Sequence, residues 1–400
     1  MPFTAALAPV PTVEYIAQSD TLRIIDQRYL PHRLTLCDIH NSADIITAIS
    51  EMWLRGAPLI GIAGAFGAYF AIEETRTAIT LAHPDESEAA RQTQFETAWA
   101  ARLAQIVATR PTAVNLSWAI QRAHEAAQQK EQEAHNFAAK RSFDEYIQAQ
   151  KRTVLDTATD ILAQDSEICH SIGTHGLALL RAIAATKPKG EPVNILTHCN
   201  AGRLACADYG TATAPIYLAH REGIAVHVFV DETRPRNQGA SLTAWELGQA
   251  GVAHTLIPDN TGGLLMQQGK VDICIVGTDR VTNNGDVANK IGTYLKALAA
   301  HDNHVPFWVA LPLSTFDASL KSGNDIEIEE RSEDEVLYMT GTTHTGSLET
   351  VRIAPEGTKA LNYGFDITPA RLVTGFITER GVYTMPQHTV SLETVKEIFG

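Results

Sequence analysis

The sequence is poor in the features that would place it in a specialised class. Its 400 residues include five cysteines (Cys37, Cys169, Cys199, Cys206, Cys274), an odd number with no C-x-x-C pair. That argues against a disulfide framework or a zinc signature and fits reduced thiols in a cytosol. The 15 histidines show no H-E-x-x-H or similar spacing, so no metal is expected. Long apolar runs are missing too. The longest, Pro58 to Ile72, is too short for a membrane span and holds three glycines. The N-terminus lacks a charged segment followed by an apolar core, so no signal peptide is expected and the predicted location is the cytoplasm. Basic residues are in deficit, with 32 Lys and Arg against 46 Asp and Glu and a formal net charge of -14. Nucleic acid and anionic membranes, which select basic faces, are therefore not expected as partners. An anionic ligand would have to be held by a few local cations.

What is present divides the chain into two patterns. Residues of about 20 to 40 alternate enough for a short hairpin. Helical spacing follows through "SADIITAISEMWLRGAP", an Ala/Gly-rich run, and an Ala-, Gln- and Glu-rich stretch to Leu162. The one soft boundary is "ATKPKGEP" near 185–192. Beyond it, short apolar strands recur at Val193–Cys199, Ala225–Asp231, Ala253–Pro258, Val271–Gly277 and Pro306–Pro312, separated by room for helices. Repeated βα units with dry strands mean a parallel sheet covered on both faces. The reading is α/β: an N-terminal mostly helical domain with a short hairpin, residues 1–150, and a C-terminal Rossmann-like, doubly wound domain, residues 151–400. The stretch "CNAGRLAC" after the first strand has one glycine rather than G-x-G-x-x-G, so a nicotinamide cofactor is not expected.

Ligands of open parallel sheets bind at the carboxyl ends of the strands. Here those ends are polar: His198-Cys199-Asn200, Asp231-Glu232-Thr233-Arg234, Asp259-Asn260, Thr278-Asp279-Arg280 and Ser314-Thr315. Any one of these could be a helix cap, a turn former or, for Cys199, a packed thiol, and Arg280 could simply pair with Asp279. Their joint occurrence at matching ends points to a crevice. Two stretches resemble anion seats. In "WLRGAPLIGIAGAFG", Arg55 and Gly56 precede Ala57-Pro58 at a helix start, where free amides and the helix dipole favour an anion. Gly61, Gly64 and Gly67 give that helix a face that can approach a backbone or ligand closely. In "TNNGDVANKIGTY", the reading is a turn and N-cap, placing Asn289 and Lys290 in a first helical turn. A lysine there opposes the helix dipole unless an anion binds.

Together, "RGAPLIGIAGAFG", "TRPTAVNL", "LTHCNAG", "ETRPRNQGASLTAWEL", "VGTDRVTNNGDVANKIGTY", "EIEER" and "GFDITPARLVTGFITERGV" resemble the methylthioribose-1-phosphate isomerases of methionine salvage. That family is shared with ribose-1,5-bisphosphate isomerases and regulatory subunits of the translation-initiation exchange factor. The resemblance implies Cys199 and Asp279 as the catalytic pair. It implies Arg55, Gly56, Ala57, Arg110, Gln238, Asn289 and Lys290 as substrate-binding positions, a small phosphorylated sugar as substrate, no cofactor, and a homodimer. Ser241, Arg203, "LNYGFD" and a lengthened segment from Leu337 to Leu348 depart from the family pattern.

On that reading Asp279, kept protonated by burial, opens the sugar ring, and Cys199 moves a proton from C2 to C1. A hydride shift between the same carbons is the alternative route. Ile60, Trp118 or Tyr294 are the residues expected around a methylthio group. A second phosphate would call on Arg203. A catalytically silent regulator is the reading from another class.

Overall fold

The computed structural model describes residues 10–110, 114–135 and 141–385 together with Ile398. The N-terminal part begins with a three-stranded antiparallel sheet, β1 (Val13–Ile16), β2 (Thr21–Ile25) and β3 (Leu36–Ile39). The hairpin expected within 20–40 is the β2–β3 half of it. Five helices follow: α1 (Ser42–Ser50), α2 (Ala57–Ala82), α3 (Glu88–Val107), α4 (Val114–His135) and α5 (Phe143–Thr186). Helix α2 is buried on nearly all sides and forms the axis of this half. Its glycine face meets protein: a Cβ on Gly64 would lie 2.5 Å from Leu116 of α4. The glycines therefore serve helix packing.

Helix α5 is 44 residues long, about 66 Å at 1.5 Å per residue. Ser142 and Glu145 close its start with a reciprocal capping box. Its first half buries Phe143, Tyr146, Val154 and Ile161 in the helical core, and its second half buries Ile172, Leu177 and Leu180 against the following sheet. The boundary expected between 150 and 151 falls inside this helix, which is continuous across it and serves both halves.

The C-terminal part runs β4 (Val193–Thr197), α6 (Ala214–Arg221), β5 (Val226–Asp231), α7 (Ala244–Gln249), β6 (His254–Ile257), α8 (Thr261–Gln267) and β7 (Ile273–Val276). Next come β8 (Arg280–Thr282), β9 (Val287–Lys290), α9 (Thr293–Asp302), β10 (Phe307–Ala310) and β11 (Phe316–Asp317). The chain then forms α10 (Asp334–Leu337), β12 (Tyr338–Thr342), β13 (Leu348–Arg352), β14 (Phe365–Thr368), β15 (Gly375–Thr378) and β16 (Gly381–Thr384). The main sheet has the order β16-β15-β10-β7-β4-β5-β6, parallel except for β16. Counting its parallel strands along the chain gives 3-2-1-4-5-6, the doubly wound Rossmann order, with the switch point between β4 and β7. A second sheet, β11-β8-β9-β14, stands beyond that point, and β12 and β13 form a separate hairpin. No helix among the described residues is long and apolar enough to cross a membrane.

One expectation is corrected here. Asn289 and Lys290 are not in a helix but end strand β9, which pairs with β8 and β14. The Asn-Gly turn at 284–285 closes a β-hairpin, the commonest use of that dipeptide between alternating residues. Helix α9 starts only at Thr293, after Gly292 at φ 103°.

Candidate active site

The switch point puts the ends of β4 and β7 side by side, with a crevice above them. Cys199 follows β4 and Asp279 follows β7, and both line one inner cavity of about 60 Å³. The cavity opens past Met52, Arg55 and Gln238 into an outer vestibule of about 560 Å³. Every one of the nine site residues expected from the sequence lines the inner cavity.

Cys199 is held in the left-handed region at φ 65°, a conformation costing a non-glycine residue about 1–2 kcal/mol. Its amide donates to Thr233 Oγ1 at 2.8 Å, and its carbonyl accepts from Thr243 Oγ1 at 2.7 Å. Burial pushes the thiol above its ordinary value, while Arg55 and Lys290 pull it back. Burial likewise raises the Asp279 carboxyl, opposed by Lys290, Arg110 and Arg55. Arg280, the alternative partner weighed for Asp279, reaches Asp317 at 3.2 Å instead. The backbone of Asp279 donates to Ala288 O at 2.9 Å, which ties the acid to strand β9.

Cationic and amide side chains and the start of α2 surround this pair. Arg55 is buried, and its guanidinium donates to Asn200 O at 2.7 Å, to Asn200 Oδ1, and to Gln27 Oε1 at 3.2 Å. Gly56 sits at φ 101°, where a Cβ would come within 2.5 Å of Ala205. Only glycine fits, and α2 begins directly after it, so that Gly56, Ala57 and Pro58 at the positive end of the helix line the cavity. Lys290 is buried, donates to Gly364 O at 2.7 Å and lies 4.8 Å from the centre of the Phe365 ring. Burial lowers its pKa, with Cys199 and Asp279 acting the other way. Arg110 is held 3.4 Å from Glu329. Gln238 is buried, and its Oε1 has no hydrogen-bond partner among the described residues. Asn289 donates to Thr293 Oγ1 at 3.0 Å.

Other expectations fall away. Arg203 does not line either cavity: it donates to Val10 O at 2.8 Å and stands 3.7 Å from Asp208. Ile60 and Tyr294 line neither cavity, and Trp118 lines a separate groove between α4 and α5. The apolar wall is made instead by Met52, Pro312 and Phe365 inside and by Leu30, Leu242 and Met339 outside. The lengthened segment forms the β12–β13 hairpin over the vestibule, where Thr342 Oγ1 meets His32 Nδ1 at 2.5 Å. Ser241 lines the same vestibule.

Two residues were missed by the sequence reading. Glu246 is buried inside α7, accepting from Asn200 Nδ2 at 3.1 Å and from Leu204 N at 3.3 Å. Burial pushes its carboxyl up to about 7. Glu329, in "EIEER", holds Arg110. An acid inside the apolar run of "LTAWEL" was the only local signal for the first, and its partners are over 40 residues away.

Among the described residues, two clusters have metal-ligating atoms within 4.8 Å of one another. In the first, Asp165 is pushed up to about 7 by burial, and a hydrogen bond that the Cys169 thiol donates to Cys206, together with burial, raises Cys169 well above the ordinary value. Raised in this way, both groups bind protons more tightly, and a metal would have to compete with them. In the second, His198, Asp231 and Asp259, the Lys296 ammonium already stands 3.2 Å from Asp231.

The fold and cavity define a Rossmann-like α/β protein with a cation-lined ligand site at its topological switch point. The chain belongs to the initiation factor 2 subunit family, whose model matches residues 54–385. It is 51% identical over 362 residues to the methylthioribose-1-phosphate isomerase of Rhizobium meliloti (strain 1021), covering 90% of each chain. Among solved structures it resembles 5-methylthioribose 1-phosphate isomerase from Pyrococcus horikoshii OT3, with 37% identity, a TM-score of 0.74, and coverage of 98% of this chain and 96% of that one. It also resembles the translation initiation factor eIF-2B subunit delta from A. fulgidus, with 33% identity, a TM-score of 0.71, and coverage of 97% and 100%.

Proposed function

We propose that this chain is an aldose–ketose isomerase that converts 5-methylthioribose 1-phosphate to 5-methylthioribulose 1-phosphate. The observation that carries the reading is the convergence of Cys199 and Asp279 on one cavity beside the amides of α2, Arg55 and Lys290. The relatives with that printed activity support it across 90% of the chain.

The chemistry starts from a constraint. The anomeric oxygen is esterified, so the ring cannot open by deprotonating a hemiacetal. Asp279 gives its proton to the ring oxygen as the C1–O bond breaks and the bonding pair leaves with that oxygen. Its raised pKa suits this role. Cys199, drawn toward the thiolate by Arg55 and Lys290, takes the proton from C2, and the electrons form an enol phosphate between C1 and C2. The 2-hydroxyl then returns a proton to Asp279 while Cys199 protonates C1, leaving a ketone at C2 and both residues as they began. Arg55, Arg110, Lys290, Asn289, Gln238 and the amides of Gly56 and Ala57 hold the phosphate and hydroxyls.

The vestibule favours an uncharged 5-substituent over a 5-phosphate. Its cations are engaged internally: Arg28 is ion-paired with Asp26 and Glu51 and Arg236 with Glu335, while Arg234 donates to Pro235 O and Val336 O and Arg55 to Asn200 and Gln27. Desolvating a second phosphate there without a free cation is costly. The test is an NMR-followed incubation with 5-methylthioribose 1-phosphate, 5-deoxyribose 1-phosphate and ribose 1,5-bisphosphate. Conversion of the first with the highest kcat/KM is expected. A preference for the bisphosphate would overturn the substrate, and binding without turnover of any would favour the regulatory reading.

A further inference from the structure

Below Cys199 lies a set of buried charges that the proposed chemistry leaves unused. The His198 side chain is fully buried, with Nδ1 2.8 Å from Asp231 Oδ2 and Nε2 2.8 Å from Ile291 O. A carboxylate and a carbonyl can only accept, so each ring nitrogen faces an oxygen to which it could donate. A neutral ring would aim a lone pair at one of those oxygens, an arrangement that buried polar groups avoid. The ring also packs on Gly292, where a Cβ would lie 2.9 Å from it.

The surroundings complete the arrangement. Lys296 of α9 lies 3.2 Å from the same Asp231 Oδ2 and donates to Asp259 O after β6. Asp366 of β14 holds the far side of the turn, accepting from Gly292 N at 2.7 Å and Tyr294 N at 3.1 Å. Lys290, two residues before Gly292, points into the cavity wall. The charged groups facing the ring are thus Asp231, Asp259, Asp366, Lys290 and Lys296.

We infer that His198 is a positioning residue: its doubly donating ring ties the end of β4 to the end of β5 and to the turn after β9, and so sets Lys290 against Cys199. Its protonation and its effect on anion binding do not depend on which sugar is the substrate; only the turnover arm rests on the reading above.

The test has two measurements. Long-range ¹H–¹⁵N correlation of ¹⁵N-histidine-labelled protein at pH 7.5, with H198Q locating the signals, should show both nitrogens of His198 protonated. A neutral ring overturns the proposal. Calorimetry with inorganic phosphate on H198A and H198Q, run below their melting temperatures, should show affinity weakened about tenfold or more. The KM for the sugar phosphate should rise by more than kcat falls, because Lys290 is displaced while Cys199 and Asp279 remain. Phosphate affinity unchanged in both folded variants overturns it. Inactivity of the wild type on every sugar phosphate would instead sink the substrate reading, with the phosphate and NMR results still standing.

Discussion

At the scale of single residues the site works by opposition between burial and nearby cations. Burial pushes both Cys199 and Asp279 toward their neutral forms, and Arg55 and Lys290 pull both toward the charged ones. The proposed chemistry needs Asp279 protonated and Cys199 ionised, so the active form is the minor one of two forms carrying a single proton between them. Its share is constant between the two pKa values, because moving the proton from one group to the other leaves the total unchanged. The kcat/KM profile should therefore be flat between an acid limb above the ordinary carboxyl value of 3.8 and an alkaline limb above the ordinary thiol value of 9.0. Replacing Cys199 with Ser should remove the alkaline limb and lower kcat by about 10²- to 10⁴-fold, with phosphate binding nearly intact. An alkaline limb that survives in that variant would show that another group sets it, and retained turnover would take Cys199 out of the mechanism.

At the scale of elements, the strand ends were legible and one connection was not. Short apolar runs closed by Asp, Asn or Thr located β4, β5, β7 and β10, because a doubly covered strand has no polar face to confuse the pattern, and they located the edge strand β6 although its middle residues are exposed. The segment carrying Asn289 and Lys290 was read by its caps, yet its Asn-Gly turn obeyed hairpin geometry. A cap and a hairpin turn use the same residues, and only the pairing partner decides between them. Across the turn that partner is β8, and the second one, β14, lies 75 positions further on, with Phe365 opposite Lys290. Both residues still line the cavity, since strand ends and helix starts alike can present side chains to a crevice. The β12–β13 hairpin was visible only as added length. Its second strand is exposed throughout, so the core does not need it, while Tyr338, Met339 and Leu348 line the vestibule. Replacing residues 339–351 with a short Gly-Ser link should leave the melting temperature nearly unchanged. It should reduce the preference for the methylthio over the 5-deoxy sugar by about tenfold, the range for one apolar group in a pocket. Unaltered discrimination would place the 5-substituent elsewhere.

At the scale of the whole molecule, α5 joins the helical half to the sheet half, and two buried carboxyls clamp the strap that passes between them. Asp165 on α5 accepts from Ala207 N at 2.7 Å, and Glu246 on α7 accepts from Leu204 N at 3.3 Å. The strap also carries Ala205, against which Gly56 packs, so its position bears on the start of α2. Burial raises both carboxyls to about 7 from ordinary values of 3.8 and 4.5. A raised acid binds its proton more tightly when folded than when unfolded. The folded state therefore holds more protons between about pH 4 and 7, and stability falls as pH rises through that window. The contribution is fully present below the unfolded pKa and lost by about pH 7, with a slope of at most about 1.4 kcal/mol per pH unit for each group. The D165N variant keeps an oxygen to accept from Ala207 and has no proton to release. Urea unfolding of wild type and D165N from pH 4.5 to 8 should show their stability difference shifting in favour of D165N as pH rises to about 7, then holding constant. A difference that stays level across the window would mean that Asp165 is ionised in the folded protein, and that the junction between the halves carries a buried charge rather than a protonated acid.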